Sequence, residues 1–192
     1  MSYFKSITVL LMALWLTSPI IQAEESNSFD KTFTLEGITF QVSCPNDSSL
    51  SKLTIKTKGL THEETITKEI DGTVSGAKVA DLNKDGAPEI YVFTTSAGSG
   101  SYGTVVAYSS NHNKSISDIY FPEDDLKNKA FKGYMGHDVF SIDKNRLLRR
   151  FPVYNKDDSN AQPSGGMRQL EYELVPGEAT WQLKLVKSSD IK

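Results

Sequence analysis

Period-two alternation of apolar and polar residues constrains this chain more than any other feature. Phe33/Leu35 and Ile38/Phe40/Val42 flank Glu36-Gly37, and Leu53/Ile55, Ile66/Ile70, Ile90/Val92 and Val105/Ala107 continue the pattern. Successive side chains of an extended strand point to opposite faces, so alternation of this kind places one face of each segment in a core. A Glu-Gly pair between two such runs predicts a hairpin. Further along come Val139 to Ile142, a turn at Asp143-Lys144-Asn145, Leu147 to Phe151, MRQLEYEL, a turn in VPGEA, and TWQLKLV. No window carries a helical stripe, and PEDDLKNKAFKGY holds one helical turn at most. The expected fold is all-β, an antiparallel β-sandwich or partly closed barrel, in a single domain over residues 24–192.

The N-terminus reads differently. Lys5 supplies a positive start, Ile7 to Leu16 is apolar, Ser18-Pro19 breaks the run, and Ile21-Gln22-Ala23 follows. That is the layout of a secretory signal, residues 1–23, cleaved after Ala23. The apolar run is too short for the ~20 residues of a membrane span, so the expectation is a soluble, periplasmic protein. The formal net charge of −3 comes without a basic cluster suited to nucleic acid or an anionic membrane. Cys44 is the only cysteine, which excludes an intramolecular disulfide and suggests a small buried hydrophobe.

Three segments carry residues capable of chemistry. In 81-DLNKDGAPE-89, Asp81, Asn83, Asp85 and Glu89 occupy positions 1, 3, 5 and 9, and Gly86 stands where a metal loop turns. The spacing is similar to the Asp-rich calcium loops of β-propeller blades and related modules, and suggests as an alternative function a secreted calcium-binding adhesion or scaffolding module. A turn in which Asp and Asn bond their own backbone explains the same residues, and the expectation is a structural turn with no metal and no cofactor. His137-Asp138 is poorly placed for a catalytic relay, because strand neighbours face opposite ways. Gly98-Ser99-Gly100 lacks the spacing of a nucleophile elbow, and just three His, spread far apart, argue against a zinc site. A non-enzymatic role is expected.

The third segment, 96-SAGSGSYGTVVAY-108, joins two strand-like runs through Ser, Gly and Ala around one tyrosine. A hairpin turn needs only two to five residues. Glycines permit close backbone approach, serines offer hydroxyls with little bulk, and tyrosine is a rigid amphipathic plate. Such a composition suits a thin probe entering a polar cleft.

The strings ADLNKDGAPEIYVF, AGSGSYGTVVAY, SISDIY, GYMGHDVF, RRFPVY and GGMRQLEYEL, in that order, resemble the periplasmic inhibitors of I-type (invertebrate-type) lysozyme. The resemblance implies a β-rich exported protein that occludes the lysozyme active-site cleft with an exposed loop. Carried onto this chain, the contact motif is Ser99, Gly100, Ser101 and Tyr102, with Ser99 and Tyr102 foremost and Gly98, Gly100 and Gly103 shaping the backbone. It also implies a homodimer. Two residues do not reach the ~12 kcal/mol of nanomolar binding, so segment 155–166 and the cluster Arg146, Arg149, Arg150 are candidates for further contacts.

Overall fold

The computed structural model describes residues 27–191, so the segment read as an export signal lies outside the described residues. Among the described residues twelve strands follow one another in three meanders. The first sheet contains β1 (Phe29–Leu35), β2 (Ile38–Cys44), β3 (Leu50–Lys58) and β4 (Thr65–Asp71) in that spatial order. The second contains β5 (Thr73–Ala80), β6 (Glu89–Thr95), β7 (Gly103–Ser109) and β8 (Ser117–Ile119). The third contains β9 (Val139–Asp143), β10 (Arg146–Pro152), β11 (Met167–Pro176) and β12 (Trp181–Ile191). All their pairings are antiparallel.

Local chemistry sets the turns. Glu36 and Gly37 have φ of 47° and 79°, the left-handed pair that closes a hairpin with the twist of its strands. Among the described residues the single helical turn, Lys129–Phe131, lies within the segment expected to hold one, with the Asn128 side chain accepting from the Ala130 N–H at its start.

The second sheet is the middle of three layers. Ile90 and Val92 on its β6 strand pack with Phe40, Val42, Leu53 and Ile55 of the first sheet. Tyr91 and Phe93, on the opposite face of the same strand, pack with Leu147, Phe151, Leu170 and Tyr172 of the third. β6 is therefore buried along nearly its whole length, and its EIYVFTT sequence is correspondingly apolar on both faces. Each buried aliphatic or aromatic side chain here stabilises by about 1.5–3 kcal/mol. Cys44 is a free thiol in the first of these cores.

The sheets form a sandwich and not a closed barrel. The middle and third sheets do meet at one edge, where Tyr120 N–H donates to Trp181 O (2.9 Å) and Leu183 N–H donates to Tyr120 O (2.9 Å).

Candidate functional site

The Ser/Gly segment, residues 96–102, connects β6 to β7 beyond the last ladder pair, Thr95 with Gly103. It is folded on itself. Ser96 N–H donates to Tyr102 O (2.9 Å), and Tyr102 N–H donates back to Ser96 Oγ (3.1 Å), closing the neck. Ser101 N–H donates to Gly98 O (2.9 Å) and turns the tip, with Ser101 in the left-handed region at φ 45°.

Two other segments fix its backbone from outside. Gly100 O accepts from His137 N–H (2.7 Å), Ser99 O accepts from Asn160 Nδ2 (3.0 Å), and Gly103 N–H donates to Asp138 Oδ2 (2.7 Å). The backbone groups are thus engaged while the side chain of Ser99 is exposed and Tyr102 is 49% exposed. The Tyr102 ring stands edge-on to Tyr134, centroids 5.7 Å apart.

Glycine is demanded at particular places. A Cβ on Gly136, whose φ is +90°, would sit 2.0 Å from Gly100 O, and one on Gly100 would sit 2.4 Å from the Tyr102 ring. On Gly103 it would lie 2.7 Å from Asp138 Cβ. At Gly98 an added Cβ would meet nothing within 4 Å, so packing places no such demand there.

Beneath the loop lies a buried charge network. The Asp138 carboxylate, fully buried, accepts from Gly103 N–H, from Tyr134 Oη–H (2.6 Å) and from Arg149 Nε (2.7 Å). Arg149, 1% exposed, also grips Asp124 through both terminal nitrogens (2.5 and 2.9 Å). Its guanidinium lies 4.8 Å from the Tyr134 ring centroid and 5.4 Å from that of Phe131. Burial pushes the guanidinium down, but the Asp124 and Asp138 bonds outweigh it and hold the charge more firmly than in water. Burial pushes the Tyr134 hydroxyl up against the opposing effect of Arg149, so it stays protonated and donates to Asp138. Removing one member of such a pair costs about 3–5 kcal/mol, because the partner's charge is left buried and uncompensated.

Arg149 is accordingly not an enzyme-facing contact, contrary to the sequence expectation for the Arg146, Arg149, Arg150 cluster. It shares the core face of β10 with Leu147 and Phe151, two residues to either side, and the period-two rule applied to Leu-Leu-Arg-Arg-Phe places it there. Arg146 pairs with Glu173, and Arg150 donates to Gln169 Oε1 (2.7 Å). Segment 155–166 does lie beside the Ser/Gly loop, through Asn160. It is organised by Asp158, which accepts from Ser164 Oγ (2.7 Å), Asn155 N–H (2.7 Å) and Ser164 N–H (2.8 Å), with its carboxyl held low first by the Ser164 hydroxyl.

His137 and Asp138 lie just before β9 and outside any strand, so the expected strand alternation does not apply; a left-handed backbone at His137 (φ 58°) turns the two side chains apart instead. The His137 ring stacks on Tyr154 (6.3 Å) with Nε2 3.4 Å from Asn160 Oδ1, whereas Asp138 turns inward to Arg149. His62 and His112 are exposed. The acidic loop Asp81 to Glu89 lies between β5 and β6, at the far end of β6 from the Ser/Gly loop. Seven residues of strand put ~20 Å between the two.

The sequence model of the family described as periplasmic lysozyme inhibitor of I-type lysozyme matches residues 60–125. The matched span carries β4 to β8, the acidic loop and the Ser/Gly loop, and over these residues the resemblance seen in the sequence is borne out. The match supports a lysozyme-inhibitor role, and the family is one of inhibitors rather than enzymes, periplasmic by name. Among curated proteins and among solved structures nothing matches the chain. No helix among the described residues is long and apolar enough to cross a membrane.

Proposed function

We propose that this protein is an exported inhibitor of I-type lysozyme that occludes the active-site cleft with the loop 96–102, Ser99 and Tyr102 making the central contacts and Gly100 and Ser101 lying along the cleft wall. A lysozyme cleft holds two carboxyl groups about the scissile bond, one protonated and one ionised. A serine hydroxyl donates to the ionised group and accepts from the protonated one, so Ser99 serves both without introducing a counter-charge. The exposed side of Tyr102 offers an amphipathic plate for an apolar saccharide subsite. The loop contains no glycosidic bond, so it blocks without being turned over.

The observation that carries this reading is the anchoring of the loop backbone by His137, Asn160 and Asp138. Ordering a free chain costs about 1–2 kcal/mol per residue in backbone entropy, which over a seven-residue loop rivals the ~12 kcal/mol of a nanomolar complex. A loop held before it meets its target avoids that cost. Asn160 and its segment stand beside Ser99 and supply part of the additional contact surface. Export with cleavage after Ala23 and self-association into a homodimer belong to the same proposal.

The test is titration of lysozyme activity with the purified protein, using I-, C- and G-type enzymes side by side. Stoichiometric inhibition of the I-type enzyme with weak or absent effect on the others is the expected result; no inhibition of any I-type enzyme at micromolar concentration refutes it. Sedimentation of the same preparation reads the oligomeric state.

A further inference from the structure

Hydrogen bonds explain most of the acidic loop without an ion. Asp81 accepts from Asp85 N–H (3.1 Å) and Gly86 N–H (2.9 Å), Asn83 Oδ1 accepts from Asp85 N–H (3.2 Å), and Asp85 Oδ1 accepts from Ala87 N–H (2.8 Å). Glu89 is the exception. It is 0% exposed, and its Oε2 accepts from Leu82 N–H (2.9 Å) and Tyr91 Oη–H (3.2 Å), but its Oε1 is buried with no hydrogen-bond partner among the described residues. Buried polar atoms are almost always satisfied, and an unpaired carboxylate oxygen is an expensive exception.

What faces this carboxylate is more negative charge. One carboxylate oxygen from each of Asp81, Asp85 and Glu89 lies within 4.8 Å of the other two. The ion pairs among the described residues involve none of the three. A cation at their meeting point would satisfy the orphaned oxygen and neutralise the repulsion together.

We propose that the β5–β6 loop is a calcium site, with Asp81, Asp85 and Glu89 as its carboxylate ligands and Asn83 Oδ1 as a further oxygen. The donor set is oxygen only, which selects a hard cation. Calcium binds oxygen at about 2.3–2.6 Å, so two ligands on opposite sides stand roughly 5 Å apart; magnesium at about 2.0–2.1 Å brings them to about 4.2 Å and demands octahedral geometry. Three carboxylates and an amide oxygen from one loop also exceed the one or two protein carboxylates that magnesium, which keeps several waters, usually takes. The ion would tie the end of β5 to the start of β6, at the end of the molecule away from the Ser/Gly loop, and the proposal stands independently of lysozyme binding.

The test uses the purified protein, stripped with a chelator and desalted, then titrated with calcium chloride or magnesium chloride by calorimetry and thermal melting. Calcium should bind with one-site stoichiometry and raise the Tm, with magnesium at least tenfold weaker. Asp85→Asn retains an acceptor for Ala87 N–H but gives up the Asn83 Nδ2 bond at Oδ2 (2.9 Å) together with the charge, so its calcium response is read against its own cation-free Tm and the affinity should fall at least tenfold; Asp81→Asn, which gives up one of the bonds from Asp85 and Gly86 N–H, is the second variant, read in the same way. Absence of binding and of any Tm shift at millimolar calcium overturns the proposal, as do wild-type calcium affinity in both variants or equal response to magnesium.

Discussion

At the residue scale, Asp138 joins stability to presentation. The same carboxylate holds the base of the Ser/Gly loop at Gly103 and compensates Arg149 in the core. Asp138→Ala should therefore lower stability by about 3–5 kcal/mol, measured by chemical denaturation. Gly136→Ala is the sharper probe of presentation, because its Cβ would drive against Gly100 O at 2.0 Å while leaving the charge network intact. It should weaken inhibition well beyond its effect on Tm, and an unchanged inhibition curve would show that the Gly100 carbonyl need not be held where it is. Glu89 predicts a pH dependence for the cation-free protein. Burial, with Asp81 and Asp85 adding, raises its carboxyl from the ordinary 4.5 to about 8 in the folded state. Between those values the folded protein holds a proton that the unfolded chain has released, so stability should fall as pH rises from about 5 to 8. Denaturation of the chelated protein across that range checks the sign, and Glu89→Gln should flatten the slope.

At the scale of elements, the loop depends on two segments remote from it in sequence. Asn160→Ala removes the donor to Ser99 O without touching either core, and should weaken inhibition up to about tenfold, the value of one hydrogen bond of up to about 1.5 kcal/mol. Equal inhibition by Asn160→Ala and wild type would mean that the Ser/Gly loop holds its shape unaided. Most strands were legible in the sequence through a local two-residue rhythm, from the Glu36-Gly37 hairpin to the final Trp181–Ile191 strand, whereas β5, with its small residues, and the three-residue β8 carried too little pattern to be read. The composition of the Ser/Gly segment was equally visible, and reads alone as a flexible linker. Its rigidity was not visible, since His137, Asp138 and Asn160 reach it over sequence separations that no local pattern reports. The burial of Arg149 was readable from its place between Leu147 and Phe151, but a charge is assigned outward unless its compensating carboxylates are known, and Asp124 lies 25 residues away.

At the scale of the whole molecule, one sheet serves two cores, and this bears on cooperativity. Neither outer sheet keeps its core if β6 leaves, because Ile90 and Val92 complete one and Tyr91 and Phe93 the other. Calorimetric melting should consequently show a single transition with equal calorimetric and van't Hoff enthalpies; two resolved transitions would divide the chain into separate units. The middle sheet also sets the two candidate sites at opposite ends of β6, so calcium should alter Tm while leaving lysozyme inhibition unchanged.

The central claim is that Ser99 and Tyr102 form the tip of a preformed inhibitory probe, and inhibition of I-type lysozyme by Tyr102→Ala, Ser99→Ala and the double variant tests it most directly. Truncating a central aromatic anchor typically costs about 2 kcal/mol or more, roughly thirtyfold. Ser99→Ala should cost less, because water can take the hydroxyl's place. The exposed position of Ser99 and the half-exposed position of Tyr102 keep the expected Tm changes small. Loss of at least thirtyfold in the Tyr102→Ala and double variants, with folding intact, is the predicted result; a folded double variant that inhibits like wild type would contradict the account.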